Sequence, residues 1–107
     1  MWIRMASFMV KPEQAGRLRA VYNEQAVPLV RKQSGNLACL LLEPVGDARA
    51  HKAITIWDSR ATGEAYDASG TAAEVVGMVR ECFAGPPTLE TFESNSSLGL
   101  EVPKSGS

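Results

Sequence analysis

Histidine and cysteine are scarce in this sequence. His51 is its only imidazole, and Cys39 and Cys82 are its only thiols among 107 residues. Closed zinc sites take their ligands from closely spaced pairs, so one His and two distant Cys exclude such a site, and no metal is expected. Disulfide frameworks concentrate more cysteines in shorter, loop-rich chains. Cys39 and Cys82 sit inside apolar segments and read as buried, inert thiols. An excess of one charge is missing too: 11 Lys and Arg face 12 Asp and Glu, for a net charge of −1. Nucleic-acid domains usually carry a basic excess, so nucleic acid is not expected as the main partner. No apolar run approaches the roughly 20 residues of a membrane span. Residues 1–10 contain an early arginine but neither an unbroken apolar h-region nor a small-residue cleavage site, so no export signal is read and a cytoplasmic location is expected. No internal repeat is present.

What remains is one domain with enough apolar residues, 45%, to bury a core without staples. Residues 2–10 read as a strand with two alternating faces: Trp2, Arg4, Ala6, Phe8 and Val10 on one, Ile3, Met5, Ser7 and Met9 on the other. Residues 13–33 read as a helix with Leu18, Val21, Tyr22, Gln25 and Leu29 on one stripe. Pro28 should kink or split it after Val27, and Ser34-Gly35 ends it. Residues 36–43 and 51–58 read as strands joined by a turn over Pro44–Ala50 that is too short for a crossover helix, hence an antiparallel hairpin. Asp58-Ser59 offers an N-cap for a helix to about Ala68. Thr71 with Glu74 matches a capping box for a second helix to about Phe83, striped by Val75, Val76, Val79, Cys82 and Phe83. Residues 88–93 form a last strand, and the Ser- and Gly-rich residues 95–107 read as a flexible tail, with Leu98–Val102 able to pair with a neighbour.

Strand, helix, strand, strand, helices, strand is the split βαβ, or ferredoxin-like, order of an α+β fold. It places the helices on one face of a four-stranded antiparallel sheet. Strands one to three are nonetheless apolar on both sides, whereas a half-wet sheet is apolar on one. The second face, assigned to Trp2, Phe8, Ala38, Leu40, Ile54 and Ile56, needs another cover. A second copy of the chain packed sheet to sheet is the simplest cover, so a homodimer is expected. The alternative is short strands merely spotted with apolar groups.

Ile54-Thr55-Ile56-Trp57-Asp58-Ser59-Arg60 resembles the apolar–Trp–acidic–Ser motif of the antibiotic-biosynthesis-monooxygenase family. Val10-Lys11-Pro12, Gln33-Ser34-Gly35 and Pro86-Pro87-Thr88 fall where that family places similar segments, so the resemblance covers roughly residues 2–93. It implies a dimeric α+β barrel. It also implies a cofactor-independent monooxygenase acting on a quinol-like or polyphenolic aromatic held between sheet and helices. The alternative is a non-catalytic dimeric domain binding a hydrophobic small molecule. Haem degraders of this fold carry an axial histidine on the later helix, and Thr71–Ala84 contains none.

On this reading the inner face bears Trp57, Thr55 and Ala53 from the third strand, Cys39 from the second, and Met5, Ser7 and Met9 from the first. The candidate catalytic residues are Trp57, Ser7 and Tyr66. Trp57 supplies an indole N–H and a flat wall, though a core aromatic fixing the hairpin is the plainer role. Ser7 stands near where active relatives often carry asparagine; a hydroxyl bonded to nearby backbone is its plainer role. Tyr66 and Tyr22 are phenol donors or core aromatics with wet tips. Val75 and Val79 complete the expected pocket wall. Arg80 adds positive charge only if it turns inward, and His51, at a loop edge, is a poor general base.

Overall fold

The computed structural model describes residues 1–46 and 50–96. Four strands, β1 (Trp2–Met9), β2 (Asn36–Leu42), β3 (Ala50–Trp57) and β4 (Thr88–Glu93), form one sheet in the order β2-β3-β1-β4. Every pairing is antiparallel. With α1 (Ala15–Val21), α2 (Val27–Arg31), α3 (Arg60–Ala68) and α4 (Thr71–Val79) between the strands, this is the ferredoxin-like α+β fold. Leu98–Val102 and most of the Pro44–Ala50 turn's tip lie outside the described residues, as does all but the start of the expected tail.

The proline acts on the first helix in an unforeseen way. A π-helical turn, Tyr22–Ala26, joins α1 to α2, and the Val27 N–H reaches back five residues to the Tyr22 carbonyl. Pro28 has no N–H to give, and the wider turn accommodates the missing donor without breaking the rod. Ser59 caps α3 as expected, its Oγ accepting from the Thr62 N–H at 3.3 Å. The capping box does not form. Gly70, left-handed at φ 84°, is the N-cap of α4, and Thr71 is already its first residue. The tight α3–α4 corner needs a positive φ there, which glycine tolerates best. α4 ends at Val79, and a 3₁₀ turn, Arg80–Cys82, carries the chain onward.

Two packed clusters anchor the helices to the sheet. Phe8, Val10, Leu18, Val79 and Cys82 form one. Val30, Trp57, Tyr66 and Ala72 form the other. A fully buried side chain such as Leu18 contributes roughly 1.5–3 kcal/mol.

The register corrects which face of β1 is inside. Opposed residues of an antiparallel pair project to the same side. Trp2 lies opposite Trp57, Arg4 opposite Thr55, Ala6 opposite Ala53 and Phe8 opposite His51. Trp57, Thr55, His51 and Phe8 are buried beneath the helices. Trp2, Arg4, Ala6 and Phe8 therefore face inward. Met5, Ser7 and Met9 lie opposite Ile54, Lys52 and Ala50 on the far face. That face stays apolar, with Ile3, Ile54, Ile56, Ala38, Leu40 and Leu42 on it, and Leu40 and Leu42 are 45% and 44% exposed.

Candidate active site

Between the inner face of the sheet and the helices lies a narrow cavity of about 40 Å³. β1 and β3 floor it with Arg4, Ala6, Ala53 and Thr55; the π turn contributes Tyr22, α3 contributes Tyr66, and α4 contributes Val75, Val76 and Val79. Phe83 and Pro87 also line it, and with Val76 they form part of a wider open cleft of about 540 Å³ that adds Arg80 and Pro86. The narrow cavity admits a few water-sized groups, whereas a benzene-sized occupant needs about 150 Å³. An aromatic body thus has room in the cleft, and only a small group has room inside.

Polar groups in the cavity are few. The Tyr22 hydroxyl lies 3.3 Å from Cys39 Sγ and donates to the Leu40 carbonyl at 3.4 Å. The Tyr66 hydroxyl makes no hydrogen bond among the described residues, and its ring packs tilted by 32° against Trp57, with centroids 4.8 Å apart. Burial pushes the Tyr66 phenol up to about 12, with Arg4 opposing the rise. Burial, reinforced by Cys39, pushes Tyr22 still higher. Both phenols therefore keep their protons at neutral pH and serve as donors.

Among the described residues Arg4 is the one charged side chain lining the cavity. Its Nε donates to Asp67 Oδ1 at 2.9 Å, and its guanidinium lies 5.5 Å from the centre of the Tyr66 ring. The side chain is 13% exposed. Sequence reasoning passed over it, although a lone charge among Trp2, Ala6 and Phe8 was the available signal.

The expected site residues divide into four groups. Tyr66, Tyr22, Thr55, Val75 and Val79 come together around the cavity. Cys39 stands behind Tyr22 and packs against the Trp57 cluster instead. Met5, Ser7 and Met9 are on the opposite side of the sheet, so Ser7 does not meet Tyr66 across a pocket. Trp57 is on the inner face but fully buried, and its indole N–H already donates to Thr55 Oγ1 at 2.9 Å. The indole is a wall behind Tyr66, with no donor turned toward the cavity. His51, the chain's one imidazole, lines a separate surface pocket with Arg19 and Glu43.

An antiparallel sheet roofed on one side by helices, with a phenol-lined cavity between the layers, defines an α+β protein of the ferredoxin-like class. The chain belongs to the antibiotic biosynthesis monooxygenase family, whose model it matches over residues 1–77. A candidate antibiotic biosynthesis monooxygenase from Bordetella bronchiseptica is 22% identical, with a TM-score of 0.74 over 87% of this chain and 95% of that one. Another, from Deinococcus radiodurans, is 15% identical, with a TM-score of 0.75 over 94% and 98%. MhuD, solved with two manganese protoporphyrin IX molecules per active site, is 23% identical, with a TM-score of 0.75 over 92% and 99%. At these identities the likeness is one of fold. No curated protein sequence matches the chain.

The porphyrin-binding neighbour raises the question of haem. From Thr71 to Cys82, α4 and its 3₁₀ extension carry no histidine, and His51 lies in another pocket. The residues present do not fit a haem held by a histidine of the later helix.

Proposed function

We propose that the chain is a cofactor-independent monooxygenase of a quinol-like or polyphenolic aromatic, acting as a cytoplasmic homodimer. The observation that carries this reading is the polarity of the cavity. Arg4, Tyr66 and Thr55 offer donors to a bound oxygen, and among the described residues no carboxylate or imidazole lines it. Donors that favour a substrate anion are what such a reaction asks of the protein. An ionised phenol passes one electron to dioxygen, and the radical pair recombines to a peroxide. Loss of water leaves a quinone: the substrate gains one oxygen atom and gives up two hydrogens, which leave with the second oxygen as water. In this scheme Tyr66 donates to the substrate oxygen, and Trp57 positions its ring.

The test is oxygen uptake with an anthrone or a naphthohydroquinone in the presence of a chelator and no added flavin. Labelled dioxygen should place one atom in the product. Tyr66→Phe should lower kcat about tenfold or more. Uptake no faster than autoxidation would overturn the enzyme reading. A second reading, a non-catalytic domain holding a hydrophobic molecule, is favoured by the satisfied Trp57 N–H and the narrow cavity. Binding of the same aromatics without oxygen uptake supports it.

The uncovered apolar face around Ile54, Ile56, Leu40 and Leu42 supports the homodimer. Sedimentation should give twice the 11.5 kDa chain mass, and Ile54→Lys should return the monomer. A monomeric native protein would contradict it.

A further inference from the structure

We infer that this cavity selects aromatic carboxylates, with the two terminal nitrogens of Arg4 gripping the carboxylate end-on. The inference rests on the proposed aromatic-binding role and adds the class of ligand.

An arginine on the inner face of a sheet is costly unless its donors are satisfied. Asp67 accepts from Nε alone. Neither terminal nitrogen donates to an acceptor among the described residues, and neither is sealed from solvent, so both stay open to a ligand although the side chain is only 13% exposed and lines the cavity. A guanidinium whose Nε is fixed still presents two parallel N–H groups at its far end, the fork that matches a carboxylate. The Asp67 bond and the Tyr66 ring at 5.5 Å hold that fork in place before any ligand arrives. The rest of the lining points the same way. Its other polar side chains are the hydroxyls of Tyr22, Thr55 and Tyr66; among the described residues no acidic group lines the cavity, and Asp67 engages Nε rather than the terminal nitrogens. Size agrees as well. About 40 Å³ suits the two oxygens of a carboxylate, while the ring would occupy the adjoining cleft beside Phe83 and Pro87.

The test compares 2-naphthoate with 2-naphthamide, which match in shape but differ in charge. Both are titrated into the full chain by calorimetry at pH 7.5. Naphthoate should bind about tenfold or more tightly. Arg4→Gln should bring the two affinities within about twofold, whereas Asp67→Asn should keep the preference. The readout is a ratio within one variant, so general weakening does not imitate it. If Arg4→Gln does not fold, Arg4→Lys serves: it keeps the charge but loses the fork, and the ratio should fall severalfold. Equal binding of both probes to the native protein would overturn the inference and leave the aromatic-binding role standing. Binding of neither would overturn both. A preference that survives Arg4→Gln and Arg4→Lys, or that vanishes with Arg80→Gln instead, would place the anion elsewhere and sink the assignment.

Discussion

Trp57 Nε1 donates to Thr55 Oγ1 at 2.9 Å, two residues back on the same face of β3. The bond closes the one polar group of a ring that has no exposed surface. An indole N–H left unpaired in the core costs about 1–3 kcal/mol. Thr55→Val, which keeps shape but removes the acceptor, should destabilise the fold by about that amount. Thr55→Ser retains the oxygen and should lose less. Urea midpoints at constant m-value read the difference, and a Thr55→Val protein as stable as the native one would show the bond to be worthless.

Gly63 of α3 meets the Trp2 indole so closely that a Cβ there would collide with Cδ1 and lie 2.8 Å from Nε1. Gly63→Ala should therefore be net destabilising by about 1–3 kcal/mol through overpacking, despite the helix propensity gained. Gly77 of α4 has open space where its Cβ would stand. Gly77→Ala should instead stabilise by about 0.5–1 kcal/mol. Opposite shifts in thermal midpoint for the two variants are the expected result.

The two buried phenols make a prediction at alkaline pH. Tyr66 is raised to about 12 and Tyr22 is raised further, against an ordinary value of 10.0. A raised folded-state pKa means the native state holds its proton longer. The stabilisation is complete below the unfolded value of about 10 and is lost as pH rises through the folded values. Between about pH 10 and 12 each phenol should remove up to about 1.4 kcal/mol per pH unit. Tyr66→Phe should flatten the fall measured by urea titration at pH 9, 10 and 11. An unchanged slope would show that Tyr66 ionises freely.

Both thiols are free, with Cys82 buried and Cys39 half-buried. Burial pushes the Cys39 thiol up, while Tyr22 and Arg31 partly oppose the shift. Only thiolate reacts with an aromatic disulfide reagent. At pH 8 the native protein should therefore react slowly, and in urea two equivalents should appear rapidly. A fast native equivalent would mark Cys39 as accessible.

The strands show what alternation can and cannot tell. Period-two patterning located all four strands within a residue or so, and Ser59, Gly70 and the Pro28 anomaly marked the helix boundaries. Both faces of β1 are apolar enough to be inside, however. Met5, Ser7 and Met9 alternate as cleanly as Arg4, Ala6 and Phe8, so the sequence offered no basis for choosing. The choice was made by pairing Trp2 with Trp57 and Arg4 with Thr55. A slip of one residue would exchange the faces.

By itself, then, the sequence determined the order of elements, the ferredoxin-like class, the family motif around Trp57 and the candidacy of Tyr66 and Tyr22. These follow from local periodicity, turn chemistry and residue type, which need no distant partner. Only the tertiary structure decided that Ser7 lies across the sheet from the cavity, that Thr55 accepts the Trp57 N–H, and that Arg4 meets Asp67. Arg4 and Asp67 are 63 residues apart, and strand alternation does not say which helix will cover which face. Strand register and the close fit of α3 over β1 settle that, because a pleated strand commits every side chain at once to one side or the other.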